Sequence, residues 1–282
     1  MIPAEFDYVA PDTLEETLGA LRDGGEDAKL LAGGHSLLPL MKLRLAAPAL
    51  LVDLRKVPGL RGIEQANGGW RIGAMTLHSE LERTPGLGIV ARAAGTIADP
   101  QVRNRGTIGG SLAHGDPASD LPAVMLITDA SVTLQGEGGQ RSVPAAELFR
   151  DYLETAVDPD EVMTEVRIPG LDGWGFGYQK FNRRSEDWAM VAVSAVVKSS
   201  GDTIEDARVG LTNMGPVPLR ALAVEEELRG GPLNATAIGT AAERAAEGTD
   251  PPADLNASSD YKRHLARVLC RRALEEAAGL SS

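Results

Sequence analysis

Leu30-Leu31-Ala32-Gly33-Gly34-His35-Ser36-Leu37 and Arg103-Asn104-Arg105-Gly106-Thr107-Ile108-Gly109-Gly110-Ser111-Leu112 are the two stretches on which the reading of this chain turns. The first follows a short apolar run, Ala28 to Ala32, that reads as a buried strand. Paired glycines at such a place let the backbone bend sharply and approach a ligand closely. Exposed N–H groups, with a hydroxyl from Ser36, Thr107 or Ser111 nearby, make a concave set of donors suited to a phosphate. Two such loops can grip both halves of a pyrophosphate. Plain tight turns are the alternative, because Gly-Gly pairs also stand at 24–25, 68–69, 138–139 and 230–231. Neither loop fits GxGxxG or the Walker A pattern. Spacing alone therefore reaches a dinucleotide site and no further.

Around these loops the N-terminal part alternates helix and strand. Thr13-Leu14-Glu15-Glu16 fits a capping box, with Leu14, Leu18 and Leu21 as the apolar stripe and Gly24-Gly25 as the stop. Leu50 to Val52 and Trp70 to Ala74 read as strands, and Leu121 to Ile127 as a helix. Ser131 to Gln135 and Arg141 to Val143 flank Gly136-Glu137-Gly138-Gly139, a hairpin signal. A second region begins near Gly170. Phe176 to Phe181, Met190 to Val197 and Ala207 to Leu211 predict a small antiparallel sheet, followed by helices over 220–229 and 259–277. Tyr261, Leu265, Val268, Leu269 and Arg272 share one face of the last helix. The expectation is an α+β chain with domains at 1–170 and 171–282.

Composition excludes several function classes. The 282 residues carry a formal net charge of −12 and no extended basic stripe, which argues against nucleic-acid binding. No apolar run reaches the ~20 residues of a membrane span. The N-terminus has no basic and apolar leader, so the chain is expected to be cytoplasmic. Cys270 is the single cysteine, so no intrachain disulfide, iron–sulfur cluster or Cys-type zinc site can form here. His35, His78, His114 and His264 show no metal-binding spacing.

Beyond composition, the loops Ala32-Gly33-Gly34-His35-Ser36 and Thr107-Ile108-Gly109-Gly110-Ser111 resemble the two FAD pyrophosphate segments of carbon monoxide dehydrogenase medium subunits and related molybdenum hydroxylases. Asp116-Pro117-Ala118-Ser119-Asp120-Leu121-Pro122-Ala123, Glu161 to Pro169 and Lys180-Phe181-Asn182-Arg183-Arg184 match that family in order. The resemblance runs over essentially the whole chain. It implies a two-subdomain FAD-binding domain of the vanillyl-alcohol-oxidase (PCMH) type, then a smaller domain with a three-stranded antiparallel sheet and helices.

By the same resemblance, residues 32–36 and 107–111 hold the pyrophosphate through N–H groups and hydroxyls. Asp120 takes the ribose or adenosine side, unless it serves only as charge at a helix N-terminus. Met163 lines the flavin pocket or packs in the core. Lys180 approaches the flavin, with a solvated lysine beside Glu186 as the alternative. Trp188 stacks on the isoalloxazine or is a core tryptophan. His35 stands where some distant flavoproteins attach FAD covalently, whereas carbon monoxide dehydrogenase-like subunits carry it and bind FAD non-covalently. His114 contacts the cofactor or serves as a turn residue.

No catalytic residue is assigned. The implied function is an electron-transfer subunit, taking electrons from an iron–sulfur small subunit fed by a molybdenum large subunit and passing them to an external acceptor. Molybdopterin and iron–sulfur clusters then belong to those partners, and the expected assembly is a dimer of heterotrimers. A self-sufficient flavin oxidoreductase, or an assembly protein that has lost FAD, are the competing readings.

Overall fold

The structure, a computed structural model, describes residues 2–280. β1 (Asp7–Val9), β2 (Ala28–Leu31) and β3 (Leu50–Asp53) form a parallel sheet in the order β1-β3-β2. Parallel neighbours need a crossover, and the helix Leu14–Gly24 supplies one between β1 and β2. Thr13 caps it, accepting from the Glu16 amide at 3.1 Å. The Glu16 carboxylate reaches the amide of Asp12 at 2.9 Å, one residue earlier than a capping box requires. Gly25 ends the helix at φ +57°, and Leu21 packs with Ala28, Val52 and Leu54.

The second sheet is antiparallel. It contains β4 (Ile63–Ala66), β5 (Gly69–Gly73), β6 (Ser131–Gly136) and β7 (Gly139–Pro144); a small hairpin of β8 (Phe149–Asp151) and β9 (Glu154–Thr155) precedes β10 (Val162–Ile168). The order is β4-β5-β10-β6-β7, so β10 is central. Its pattern escaped the sequence reading for a physical reason. A bulge between Met163 and Glu165 breaks the period of two, and buried Glu165 is neutralised by Arg71 and Arg167. The expected hairpin is present as β6 and β7. Helices Ile89–Ala94, Ile108–His114 and Asp120–Ile127 belong to the same N-terminal domain, and the last is buried almost all round.

β11 (Trp174–Phe181), β12 (Val191–Ser200), β13 (Thr203–Thr212) and β14 (Leu219–Arg220) form the third sheet in sequence order, all antiparallel. Its three long strands are those expected; the two-residue β14 adds a fourth. Arg220 accordingly lies in a strand, and the helix expected from 220 begins at Leu222. Helix Ala235–Ala242 was not foreseen, whereas Ser259–Ala277 has the expected extent. The buried face of that last helix is Lys262, Leu265, Ala266, Leu269, Cys270, Ala273, Leu274 and Ala277. Tyr261 and Arg272, expected on it, are exposed instead.

Strand alternation makes this sheet the middle layer of the molecule. Val191, Val193, Ala195 and Val197 of β12 face the C-terminal helices, while Ala192 and Val196 join the core of the N-terminal domain. Each buried valine contributes about 1.5–3 kcal/mol, so both faces hold the layers together. Through the register Phe176↔Val196, Tyr178↔Ser194 and Lys180↔Ala192, the side chains of 176, 178 and 180 share the face toward the N-terminal domain. Among the described residues no helix is long and apolar enough to cross a membrane.

Candidate functional site

The two glycine loops meet. A Cβ on Gly33 would collide with the carbonyl oxygen of Arg105 and lie 2.8 Å from Gly106 Cα, so only glycine lets the first loop lie on the second. Gly34 has φ +78°, a conformation that suits glycine, and a Cβ there would also crowd Leu38 at 3.0 Å. From the other side, a Cβ on Gly110 would stand 3.4 Å from Ala32 Cβ. His78 lies beneath the joint: its amide donates to Gly106 O at 3.0 Å and its buried imidazole packs on Gly106.

The loops differ in what their amides do. Among the described residues, the N–H groups of Gly33, Gly34, His35 and Ser36 have no backbone or side-chain acceptor. Four consecutive free donors around a positive-φ residue form an anion-binding concavity. The second loop is different. Ile108 N donates to Thr76 O at 3.0 Å, Gly109 N to Ala74 O at 2.8 Å and Ser111 N to Thr107 O at 3.0 Å. Gly110 N is capped by Thr107 Oγ1 at 3.1 Å. The expectation that 107–111 offers a concave row of exposed amides is therefore corrected: long-range pairing with 74–76 engages those of 108 and 109, and Thr107 engages those of 110 and 111. Ile108 is 0% exposed and is a core residue. What this loop leaves unpaired is the amide of Thr107, a residue only 2% exposed, and the hydroxyl of half-buried Ser111.

Asp120 and Lys180 are brought together across the domain boundary. Lys180 Nζ donates to Asp120 Oδ2 and to Thr96 O, each at 3.0 Å, and Tyr178 Oη donates to Asp120 Oδ1 at 2.6 Å. Lys180 is thus not a solvated lysine beside Glu186; its side chain is 6% exposed. Asp120 is also the first residue of helix Asp120–Ile127, where a negative charge meets the positive end of the dipole. Burial pushes the Asp120 carboxyl up, opposed chiefly by Lys180, and pushes the Tyr178 hydroxyl well above its ordinary value.

The loop between β11 and β12 carries Trp188, which is 55% exposed and so is not a core tryptophan. That loop is braced. Asn213 Nδ2 donates to Ala189 O at 2.9 Å and Met190 O at 3.1 Å, while Asn213 N donates to Pro117 O at 2.8 Å. Asn213 therefore ties the Trp188 loop to the turn that leads into Asp120. Met163 is buried in the N-terminal core at the bulge of β10. His114 is half-buried at the end of the Ile108–His114 helix, and burial lowers its pKa. Burial also lowers that of His35, with Arg105 adding to the effect and Asp99 opposing it. Sequence reasoning missed Tyr178, Thr96 and Asn213. Tyr178 was within reach, because it stands two residues from Lys180 on an alternating strand.

No group of three or more His, Cys, Asp or Glu suited to a metal occurs among the described residues. Cys270 is buried, and burial pushes its thiol up to about 12, which leaves it inert. A separate cavity of about 490 Å3, lined by Arg61, Ser79, Glu80, Arg83 and Asn104, does not include either glycine pair.

Two family models cover this arrangement. Residues 4–171 match the FAD binding domain in molybdopterin dehydrogenase, and residues 176–277 the CO dehydrogenase flavoprotein C-terminal domain. The chain belongs to this family of FAD-binding medium chains. It is 43% identical to the carbon monoxide dehydrogenase medium chain of Hydrogenophaga pseudoflava over 98% of each. A solved structure of carbon monoxide dehydrogenase from Hydrogenophaga pseudoflava matches with a TM-score of 0.96 over 100% of both chains, at 43% identity. Quinoline 2-oxidoreductase from Pseudomonas putida 86 matches with a TM-score of 0.94 at 34% identity, over 99% of both. The chain is thus an oxidoreductase subunit of the molybdenum-hydroxylase type that carries the FAD-binding domain.

Proposed function

We propose that this medium chain holds FAD non-covalently, with the pyrophosphate on the free amides of Gly33, Gly34, His35 and Ser36 and on the hydroxyls of Thr107 and Ser111. The four amides carry the reading, because they are consecutive, have no protein acceptor, and lie on a half-buried to exposed loop where an anion can reach them. They also explain how a chain of net charge −12 binds an anion without a basic cluster. Ala32 and Gly110 set the distance between the loops, and Ile108 and Gly109 hold the second loop in place by donating to Thr76 O and Ala74 O instead of to the cofactor. The isoalloxazine lies toward Trp188, whose exposed ring on a braced loop governs access from solvent. Lys180 retains one of its three ammonium N–H groups for the cofactor. Asp120 acts on the site through Lys180, and Met163 by packing within the domain that carries both loops. Bound FAD supplies the exchange between electron donors and an external acceptor.

The partners in this reading are an iron–sulfur small subunit and a molybdenum large subunit, assembled as a dimer of heterotrimers. The single cysteine supports that division, since the clusters need thiolates this chain does not have. The boundary between the FAD-binding and C-terminal domains falls at residues 170–171. His35 enters this reading as one of the four loop amides, and the flavin is held without a covalent link.

Visible absorption of the purified chain during FAD titration tests the reading. A bound-flavin spectrum near one FAD per chain, released by acid precipitation, is expected. Colour retained in the acid pellet would overturn the non-covalent assignment. Protein that takes up no FAD, alone or with its partner subunits, would overturn the site.

A further inference from the structure

The buried contact between the two domains contains a hydroxyl that neither the loops nor the ion pair accounts for. Tyr178 is 3% exposed, Asp120 4%. Tyr178 and Lys180 are alternate residues of β11 and point the same way, so one strand delivers both donors to one carboxylate. The two carboxylate oxygens are divided between them: Oδ1 accepts from Tyr178 at 2.6 Å and Oδ2 from Lys180 at 3.0 Å. Thr96 O takes a second ammonium N–H at 3.0 Å. An ammonium on a four-carbon stem rotates freely unless its partners are fixed, and a carboxylate held at one oxygen only can swing about its own bond. Without the Tyr178 hydroxyl, Oδ1 of Asp120 loses its short hydrogen bond, and the carboxylate and the Lys180 ammonium on its other oxygen are held less firmly.

We infer that Tyr178 is a positioning residue of the FAD site: by holding Asp120 it fixes the Lys180 ammonium, so that the one remaining N–H addresses the cofactor. This rests on the placement of FAD proposed above. Asp120 heads the helix that follows the Asp116–Ser119 turn, and Asn213 joins that turn to the Trp188 loop. The same hydroxyl therefore stands at a junction of the Trp188 loop, the Asp116–Ser119 turn and β11, without itself donating to the cofactor.

The test compares the full chain with Tyr178→Phe, Lys180→Met and the double variant, measuring FAD dissociation constant, flavin midpoint potential and melting of the FAD-free protein. Tyr178→Phe keeps the ring and its packing. It is expected to weaken FAD about tenfold, the size of one hydrogen bond to a charged group, and to shift the potential. Because Tyr178 acts through Lys180, the double variant is expected to bind no more weakly than Lys180→Met alone. A Tyr178→Phe chain that melts earlier but keeps wild-type FAD affinity and potential would reduce Tyr178 to a structural tie and overturn the inference. Fully additive losses in the double variant would do the same. A wild-type chain that takes up no FAD would instead overturn the placement of the cofactor, and this inference with it.

Discussion

The two glycine loops look alike in sequence and do opposite work. In Gly33–Ser36 the amides are free and the glycines are needed so that the loop can lie on its neighbour. In Thr107–Ser111 the amides from 108 to 111 are engaged, and Gly109 allows the helix to approach Ala74, whose carbonyl oxygen would stand 2.8 Å from an added Cβ. One loop keeps its amides unpaired, while the other engages four of its own with the protein itself. A motif of two glycines marks a close approach of backbone, and the approach can be to a cofactor or to the protein itself.

That contrast can be broken most directly at Gly33. Gly33→Val is expected to force the loops apart and abolish FAD binding, read as loss of the bound-flavin spectrum in a chain that still folds by circular dichroism. Retained flavin would show that the contact between the loops is incidental. The next effect concerns His78 beneath the joint, which burial lowers from 6.5 to about 4. The unfolded chain takes up the proton below about 6.5 and the folded chain only near 4. Stability is therefore complete above 6.5 and falls as pH drops through that interval. At about 1.4 kcal/mol per pH unit, the loss approaches ~3 kcal/mol. Urea unfolding of the wild type and His78→Asn at pH 7 and pH 4.5 checks it; an equal acid-side loss in both would remove His78 from the account.

Gly109→Ala should cost about 1–3 kcal/mol by overpacking against Ala74. Its FAD affinity, measured on the folded fraction, should fall far less than in the Gly33 variant. A Gly109 variant that stays stable but colourless would mean that the second loop binds the cofactor through its own backbone after all. The smallest effect is expected from Thr107→Val, which deletes the hydroxyl that caps Gly110 N. About 1 kcal/mol of stability is at stake, with roughly tenfold in FAD affinity if the hydroxyl also donates to the pyrophosphate. A loss of stability without loss of affinity would leave Ser111 as the only hydroxyl contact from that loop.

Much of the architecture was legible in local pattern. The strand before Gly33 (though only Ala28 and Leu31 of it are buried), the hairpin around Glu137-Gly138 and the full extent of Ser259–Ala277 follow from periodicity and punctuation, which depend on residues close in the chain. Strand β10 was not legible, because a bulge and a buried Glu165 balanced by two arginines hide its alternation. The site divides along the same line. The positions of both glycine loops, and the absence of any thiolate set for a metal cluster, were already determined by the order of residues. Which amides remain free was decided only by tertiary structure, since Ile108 and Gly109 find their acceptors more than thirty residues away at Thr76 and Ala74. The same holds for Asp120, which is 58 residues from Tyr178 and 60 from Lys180 and joins them in one array only when β11 packs on the N-terminal domain. A side chain's type is fixed by its codon, but the partner that satisfies it is chosen by packing over long range.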